Sequence, residues 1–476
     1  MNSIWRAILL LLALLTAHVA LSQQPQLLYF TDAHQLYALD DVPGGRGGVA
    51  RLKYVVDQYR QDNPQLLTIH GGDFVGGVLY GGLFKGKHMV QALNRIPVDI
   101  FNFGQHEFDY GVDHLQGLIT AAKGQFFTSN LIQPDGTPIF DLSKSLVKQI
   151  HGKQFLFIGL TDQMNTTKQD PRIQAEDIHV AVESVFRQQA DKAFDQVIVL
   201  SQMDLQKNRE LVRRFPQITL VLTEELHEYD TQIDYVGQVP IVATAGNMSS
   251  VAAITFSDAG RPSIAIIALD STIKQDPQML RWETEERAAV DGLLGEKLGH
   301  LQVALAVDQG RTGESLAGNL ITDAMQSFYK TDIALIDGNG IRNAVDSGDF
   351  TLEKARQLLP FGNKIVVVRM AGKDLKAFIS SQLLAAKPKV MQVAGMRYQW
   401  DKRNNQVLFP TLSDEEQYTV AMNDYNFGKL DVPVDVLVGA ESPSALEDFD
   451  VLKRYVQKHQ VIRPVLSKRI TIIEKD

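Results

Sequence analysis

Three short apolar runs near the start of the chain are each followed directly by polar and glycine residues, with helical patterns between them. The runs cover residues 27–31, 66–69 and 98–103. Such alternation of strands and helices predicts a sheet with parallel strands and right-handed crossovers. Because parallel strands end at one edge of a sheet, the polar residues that follow them should gather there as ligand groups. The pattern predicts an α/β fold with a site at that edge.

The stretch from residue 101 to residue 111 combines glycines with groups that bind metal or transfer protons. It follows the third apolar run, as a loop after a buried strand does. Within it, Asp109 is close enough to orient the imidazole of His106 and to stabilise its charged form. A surface turn with an incidental histidine is the alternative for this stretch taken alone. Asp32 and His34 follow the first run, where residues two apart point to the same side and can both face a ligand.

The length and composition are those of a folded protein with more than one domain. At 476 residues the chain is too long for one ordinary core, and its 45% hydrophobic and 22% charged residues are typical of globular proteins. A net charge of −9 without a basic stripe argues against nucleic acid as a partner. A small phosphorylated ligand held by a few arginines remains compatible with that charge.

The first 22 residues have the pattern of a secretory signal peptide. An apolar run over residues 7–15 is followed by Ala20-Leu21-Ser22, small residues suited to cleavage after Ser22. An uncleaved membrane anchor is the alternative, but the run is shorter than the about 20 residues that a bilayer crossing needs. The absence of cysteine excludes an acylated-cysteine anchor, disulfides and a thiolate nucleophile. We therefore expect a periplasmic or secreted protein that begins near Gln23 and has no membrane partner after cleavage.

The composition changes after residue 272. Residues 278–298 form a charged, weakly amphipathic helical pattern, which we interpret as a bridge between two domains. A peripheral helix of the first domain is the alternative. The remaining segment again alternates strand and helix patterns, which predicts a second α/β unit.

Several motifs, in order along the chain, resemble the bacterial and animal 5'-nucleotidase family. In its calcineurin-like metallophosphoesterase domain, that family has Asp-x-His, Gly-Asp, Gly-Asn-His-Glu-Phe-Asp, a lone His and Gly-His-x-His. The counterparts of the first three are Asp32-x-His34, Gly72-Asp73 and Gly104-Gln105-His106-Glu107-Phe108-Asp109. The second half resembles the family's nucleotide-binding domain through Glu314-Ser315-x-x-Gly318-Asn319-Leu320, Asp332-Ile333-Ala334, Gly340-Ile341-Arg342, Pro360-Phe361-Gly362-Asn363 and Asn423-Asp424-Tyr425.

The resemblance implies a particular fold and domain order. The expected fold class is α/β, in part α+β: a four-layered metallophosphoesterase β-sandwich flanked by helices, joined by a helix to a smaller α/β nucleotide-binding domain, with substrate in the cleft between them. The implied segments are a signal peptide at 1–22, a metallophosphoesterase domain at 23–272, a linker helix at 273–300 and a 5'-nucleotidase C-terminal substrate-binding domain at 301–476.

The resemblance also implies a site for two divalent metal ions. Two cations bridged by one carboxylate neutralise a phosphate ester and supply a bound hydroxide at neutral pH. Asp73 corresponds to the bridging ligand, and its companions at the first metal correspond to Asp32, His34 and His227. His106 and Asp109 correspond to the family's catalytic, charge-stabilising dyad.

The ligands of the second metal differ from the family pattern. Gln105 stands in place of asparagine, Gln202 in place of the lone histidine, and Glu225 in place of the first histidine of Gly-His-x-His. The second site has therefore either been rebuilt for oxygen ligands or is empty. The expected cofactor is a divalent ion, Zn²⁺, Mn²⁺ or Mg²⁺, with one ion bound tightly.

The resemblance places substrate binding in the second half of the chain. Arg311 and Arg342 correspond to arginines that hold anionic or polar groups, and Phe361 and Tyr425 to the two rings that sandwich the base. The polar neighbours correspond to Asn363 and Asp431. Tyrosine in place of phenylalanine keeps the π-face for stacking. In place of the family's glycine pair before Asp431, the chain has Lys429-Leu430. Ordinary core packing of Phe361 and a surface ion pair of Arg342 are the alternatives.

The sequence leads to one function and two alternatives. We expect an exported metal-dependent phosphoesterase that hydrolyses nucleotides and binds a small-molecule nucleotide or nucleoside. The alternatives are a nucleotide-binding protein whose hydrolytic centre has lapsed, and a relative that acts on another oxyanion ester. The retained base sandwich argues against the last of these.

Overall fold

The computed structural model describes residues 24–76, 83–164, 167, 170–257, 260–306 and 308–474. The predicted signal peptide lies outside these residues. No helix among them is long and apolar enough to cross a lipid bilayer. The chain divides into two compact units, one ending at Arg287 and the other beginning at Ala288.

The first unit is built around two six-stranded sheets. Its strands are β1 (Leu27–Phe30), β2 (Leu67–His70), β3 (Ile100–Phe101), β4 (Gln125–Phe126), β5 (Leu131–Ile132), β6 (Leu146–Ile150), β7 (Lys153–Thr161), β8 (Gln174–Ala175), β9 (Gln196–Gln202), β10 (Leu220–Thr223), β11 (Gln232–Val236), β12 (Val239–Ala243), β13 (Ser250–Phe256) and β14 (Pro262–Ala268). Its helices are α1 (Val49–Asp62), α2 (Lys87–Arg95), α3 (Val112–Ala121), α4 (Ile178–Gln188) and α5 (Leu205–Arg214), with 3₁₀ turns at His106–Phe108 and Ile139–Asp141. The strand orders are β14-β13-β1-β2-β3-β4 and β11-β12-β10-β9-β7-β6.

The two sheets pack face to face through apolar side chains that alternate along the strands. Leu27 and Tyr29 of β1 lie in one buried cluster with Phe155 and Phe157 of β7. The intervening residues of β7, such as Leu156, face a second cluster with α4 and α5. This is the alternation expected of strands buried on both faces. The predicted sandwich flanked by helices is confirmed.

Parallel pairing sends the functional loops to one edge, as predicted. Strands β1, β2 and β3 pair in parallel, with Phe30 opposite His70 and His70 opposite Phe101. In the other sheet, β9 and β10 also pair in parallel. The third strand is shorter than the predicted 98–103, and just past its end the side chain of Asn102 donates to the carbonyls of Gly71 (3.1 Å) and Leu160 (3.3 Å).

The boundary between the two units falls within helix α6 (Pro277–Leu294), between Arg287 and Ala288. The helix ends four residues before the predicted 278–298 pattern does. Gly295 follows directly, and its amide bonds the carbonyl of Asp291 at 2.8 Å, as glycine after a helix end commonly does. Residues 297 and 298 belong instead to a strand. The domain limits given above stay a prediction.

The second unit is a mixed α/β unit. Its strands are β15 (Lys297–Leu301), β16 (Ile333–Asp337), β17 (Gly348–Thr351), β18 (Ile365–Ala371), β19 (Met391–Ala394), β20 (Tyr398–Asp401), β21 (Gln406–Leu408), β22 (Gln417–Asn423), β23 (Asp435–Val438), β24 (Val461–Ile462) and β25 (Ile470–Ile473). Its helices are α7 (Asp308–Thr312), α8 (Leu316–Tyr329), α9 (Leu352–Leu358), α10 (Gly372–Leu383), α11 (Asp424–Phe427) and α12 (Asp448–His459), with a 3₁₀ turn at Gly338–Gly340.

A five-stranded sheet, β19-β16-β22-β18-β23, is covered on both faces. Ala334 and Ile336 of β16 lie in one cluster with side chains of α8, α9 and α12. Ile333 and Leu335 lie in the other, with side chains of α10. Two-sided burial explains why these strands read as continuous apolar runs in the sequence.

Candidate functional site

In the first unit, two buried carboxylates stand just past the ends of neighbouring strands. Asp32 follows β1 and Asp73 follows β2, and both have a left-handed backbone, with φ of 54° and 57°. Non-glycine residues seldom adopt this conformation, and such strain concentrates at functional sites. The amide of Asp32 also bonds the carbonyl of Gly72 at 3.1 Å, which joins the two loops.

Glu107 holds these loops in place, a role that the sequence analysis missed. Its buried carboxylate accepts hydrogen bonds from the amides of Asp73 (2.9 Å), Phe74 (2.7 Å) and Gly104 (2.6 Å). A Cβ atom at Gly104 would lie 2.0 Å from Oδ1 of Asp73, so only glycine leaves room for that carboxylate. The motif that contains Glu107 was the available signal, but only the fold reveals which amides it binds.

His106 and Asp109, the predicted dyad, lie within hydrogen-bond distance of each other. Nδ1 of His106 lies 2.7 Å from Oδ2 of Asp109, and Thr167 donates to the other carboxylate oxygen of Asp109 at 2.7 Å. Burial opposes the charged imidazole, but the Asp109 hydrogen bond and the charge of Asp73 outweigh it and raise the pKa of His106 to about 9. His106 therefore carries a positive charge at neutral pH. The ring of His34 meets it edge-on, with centroids 5.7 Å apart.

Two of the three residues that differ from the family's second-metal ligands, Gln202 and Glu225, belong to the second sheet and its loops. Together they contact the loops that follow β1 and β2. Gln202, at the end of β9, donates to Oγ1 of Thr31 at 3.1 Å and to the carbonyl of Gly71 at 3.3 Å. The amide of Glu225, in the loop after β10, donates to Oδ2 of Asp32 at 3.1 Å. The third, Gln105, adjoins His106, whose amide bonds Oδ1 of Asp73 at 2.9 Å.

The charges and polar atoms around these carboxylates fit a cation. Burial is the largest cause that raises the pKa of Asp32, Asp73 and Glu225, and neighbouring carboxylates raise these pKa values further. Several buried polar atoms of the predicted ligands have no hydrogen-bond partner: Nδ1 of His34, Oε1 of Gln105, Oε1 of Gln202 and Oε2 of Glu225. Unpaired buried polar atoms are costly, and a bound ion would satisfy them.

His227 is placed differently from the other predicted ligands. Its side chain is exposed and makes no hydrogen bond or ion pair with any described residue, and only its backbone carbonyl accepts a bond, from Gly246 at 3.3 Å. Across the described ranges, no three His, Asp or Glu side chains are already arranged as metal ligands. The seven-residue ligand set therefore stays a prediction.

In the second unit, the predicted base-binding rings lie at the same edge of the sheet, Phe361 in a loop and Tyr425 in the short helix α11. Ile365 of β18 pairs with Asn423 of β22, and the amide of Asp424 bonds the carbonyl of Lys364 at 2.8 Å. The loop before β18 carries Phe361, and Tyr425 follows β22. Both side chains are about half exposed, at 51% and 50%.

Neither alternative considered for Phe361 and Arg342 is found. Phe361 is not core, and the guanidinium of Arg342 lies 5.5 Å from its ring centre without an ion pair to any described residue. Asn363 lies in the same loop, and its backbone carbonyl accepts a hydrogen bond from the amide of Asp448 at 2.8 Å. Arg311 and Asp431 are exposed, and the described contacts do not join Asp431 to the rings.

Gln392 of β19 fixes the loop that carries Arg311. Its amide nitrogen donates to the carbonyls of Gly310 (2.9 Å) and Gly313 (2.7 Å), and its oxygen accepts from the amide of Ser315 at 3.0 Å. A Cβ atom at Gly318 would lie 2.1 Å from that oxygen. The Glu314-to-Leu320 motif is thus structural here, and Gln392 had no motif of its own to reveal it.

Two lysines that the sequence analysis did not select lie against Tyr425. Nζ of Lys389 is 3.0 Å from the phenol oxygen, and Nζ of Lys429 lies 3.6 Å from the ring centre. Burial raises the pKa of the Tyr425 phenol, but the adjacent ammonium groups of Lys429 and Lys389 outweigh burial and lower it.

The comparisons with known proteins find similarity that extends over both units of the chain. Residues 297–437 match the family model of the 5'-nucleotidase C-terminal domain. The 5'-nucleotidase of Rattus norvegicus is 23% identical over 89% of this chain and 85% of its own length. The chain is therefore similar to the 5'-nucleotidase family, and residues 297–437 carry that family's C-terminal domain. The predicted resemblance is confirmed.

A solved structure and a further relative also match most of the chain. The 5'-nucleotidase precursor of Thermus thermophilus shares the fold, with a TM-score of 0.67, 20% identity, and coverage of 94% of this chain and 99% of that one. Endonuclease YhcR of Bacillus subtilis is 23% identical over 91% of this chain, but the chain spans only 39% of YhcR.

Proposed function

We propose that this protein is an exported, metal-dependent phosphoesterase that hydrolyses nucleotides. The observation that carries the proposal is the gathering of Asp32, Asp73 and Glu225 beside the charged His106–Asp109 dyad. Buried carboxylates that raise one another's pKa values attract a divalent cation, and a cationic imidazole beside them attracts the phosphate.

The residues that would hold the first metal are Asp32, His34, Asp73 and His227. A metal bound there would neutralise phosphate oxygens and supply a hydroxide at neutral pH. Gln105, Gln202 and Glu225 would offer oxygen ligands to a second, harder ion. Because their carboxylate and amide oxygens replace imidazoles, we expect that second ion to be bound weakly or to be absent.

Other residues of the chain would transfer protons, position the ligands and bind the substrate. Asp109 orients His106 and stabilises its charge, so that its Nε2–H can hold a phosphate oxygen or protonate the leaving group. Glu107 fixes the backbone amides on which Asp73 is placed. In the second unit, Phe361 and Tyr425 would stack the base, and Arg342 and Arg311 would hold anionic or polar groups of the substrate.

A nucleotide-binding protein without hydrolysis is the second candidate. It is favoured by the exposed side chain of His227 and by the loss of two imidazoles from the second metal set. Both would lower the charge neutralisation on which phosphate ester hydrolysis depends.

Hydrolysis and binding measured on one purified sample separate the two candidates. For an enzyme, nucleoside monophosphate hydrolysis should rise with added Mn²⁺ or Mg²⁺, stop with a chelator, and be lost in Asp73→Asn. The matched control is Asp57→Asn on α1, whose carboxylate pairs with Lys53 away from the site. Nucleotide binding without hydrolysis under every metal condition would favour the lapsed form.

Export is tested separately. N-terminal sequencing of exported material should begin near Gln23, because cleavage is expected after Ser22. Recovery of Met1 in a membrane fraction would contradict the export proposal without affecting the chemistry.

A further inference from the structure

Two lysines and one carboxylate surround the half-exposed ring of Tyr425. Lys389 donates to the phenol oxygen at 3.0 Å, and its Nζ is 3.6 Å from Oδ2 of Asp337. Lys429 places its Nζ 3.6 Å from the ring centre. Aromatic rings attract cations over their faces, so this contact fixes the ring and occupies one of its two faces.

The strand register brings this cluster to the edge that carries Phe361. Met391 of β19 pairs with Asp337 at the end of β16, and Lys389 lies two residues before Met391, the first residue of β19. Strand β16 runs parallel to β22, which leads into Tyr425. The lysines are therefore part of the same surface as the predicted base-binding rings.

The two lysines differ in what they can offer a ligand. Nζ of Lys429 is shielded from solvent and has no hydrogen-bond partner among the described residues. Burial and the neighbouring Lys389 lower the pKa of Lys429. The Lys389 side chain keeps 29% of its surface exposed, and its three donors meet one phenol oxygen within hydrogen-bond distance.

Asp337 does not satisfy the remaining donors of Lys389. Its Oδ1 already accepts from the amide of Asn339 at 2.9 Å and from the side-chain nitrogen of Asn339 at 3.1 Å. Its other oxygen is 3.6 Å from Lys389, an ion pair rather than a hydrogen bond. Among the residues that the structure describes, Lys389 thus has donors without a hydrogen-bond partner, beside the phenol oxygen of Tyr425.

We propose that Lys389 selects the base that stacks on Tyr425, favouring bases with a carbonyl oxygen at the edge over bases with an amino group there. This inference rests on the proposed nucleotide-binding function. An ammonium group only donates hydrogen bonds, so a carbonyl oxygen gains a partner from Lys389 while an amino group faces a second donor. A site built for an acceptor rejects the analogue that lacks it.

Inosine and adenosine provide a matched pair of probes. They differ at position 6 of the purine, where inosine carries a carbonyl oxygen and adenosine an amino group. Their dissociation constants are measured by calorimetry on the full chain, since nucleosides have no phosphate to hydrolyse. Inosine should bind about tenfold more tightly than adenosine, as expected of one hydrogen bond to a charged group.

Lys389→Met should bring the ratio of the two dissociation constants close to one. Lys376→Met is the control, because Lys376 pairs with Asp414 (2.7 Å) in the same unit, and there the ratio should stay as in the parent. Equal affinities in the parent protein, or a preference that survives Lys389→Met, would overturn the Lys389 proposal and leave the nucleotidase proposal standing. If neither nucleoside binds the parent, the Lys389 proposal is wrong, while metal-dependent hydrolysis of nucleoside monophosphates decides the nucleotidase proposal separately.

Discussion

The backbone amide of His106 donates a 2.9 Å hydrogen bond to Oδ1 of Asp73. This bond joins the carboxylate predicted to bridge the metals to the residue predicted to hold the phosphate. A displacement of either loop would therefore move both groups, so residues that position the loops should matter almost as much as those that contact substrate.

Asp109→Asn tests the dyad. An amide in place of the carboxylate removes the charge that stabilises the His106 imidazolium, so kcat for nucleoside monophosphates should fall about 100-fold with a smaller change in KM. Steady-state kinetics check this. Asp113→Asn is the control, because Asp113 is exposed and pairs with Arg172 at 2.7 Å. Unchanged turnover in Asp109→Asn would remove His106 from the proposed chemistry.

Glu107→Gln tests the positioning of the loops. Glutamine keeps one acceptor oxygen and turns an NH₂ group toward the backbone amides that the carboxylate now binds, so the free energy of unfolding should fall by about 1 to 3 kcal/mol. Denaturant unfolding measures it, with the exposed Glu210→Gln as control. A variant as stable as the parent would show that these three hydrogen bonds contribute little.

The positions of loops and motifs could be predicted from the sequence better than the hydrogen-bond partners of individual side chains. Asp32 and Asp73 could be placed because each lies within three residues of the end of a strand, and parallel strands end together. The contacts of Glu107 and Gln392 join segments distant in sequence, and they depend on space left by Gly104 and Gly318, which no local pattern encodes.

Two further features of the structure could not be predicted, because they also depend on contacts between segments that are distant in sequence. The His227 side chain is exposed in a loop whose backbone is held by the bond from the Gly246 amide to the His227 carbonyl. Its motif does not reveal this exposure. Lys389 was not selected because it precedes β19, far in sequence from Tyr425, and only the register between β16 and β19 brings it close.

Glu283 should make the stability of the first unit depend on pH. Burial raises the pKa of this α6 carboxyl from 4.5 to about 7, although hydrogen bonds from backbone amides such as that of Ala50 oppose the shift. Between these values the folded state keeps a proton that the unfolded state releases, so stability falls as pH rises from about 4.5 to 7 and then levels off.

Glu283→Gln should flatten that dependence. The variant carries no titrating proton, so its free energy of unfolding should change less than that of the parent between pH 5 and pH 7, by on the order of 2 kcal/mol. Unfolding midpoints across this range measure the difference. The exposed Glu285→Gln on the same helix should behave like the parent. Identical pH profiles for Glu283→Gln and the parent would contradict the assignment.

Tyr425→Ala tests base stacking. Loss of the ring should weaken nucleoside binding by about 1 to 3 kcal/mol and leave metal content unchanged, because each stacked base contributes that much. Calorimetry with adenosine and inosine measures it. Tyr235→Ala is the control, since Tyr235 is exposed on β11 of the first unit. Undiminished nucleoside affinity in Tyr425→Ala would show that the ring does not stack the base.

Restoring the family's ligands should rebuild the second metal site. Gln105 is longer than asparagine by one carbon–carbon bond, about 1.5 Å, so its oxygen does not occupy the same position. Replacing Gln105, Gln202 and Glu225 by Asn, His and His should add a second bound ion and raise turnover. If the triple variant binds no additional metal and turns over no faster, these three positions do not set the metal count.

Metal content measured together with turnover on the purified, unaltered chain tests the central claim most directly. We predict one tightly bound metal ion per chain and low nucleotidase activity that rises with added Mn²⁺ or Mg²⁺, because oxygen ligands hold zinc less well than imidazoles do. Two equivalents of zinc per chain with rapid hydrolysis of nucleoside monophosphates would contradict it.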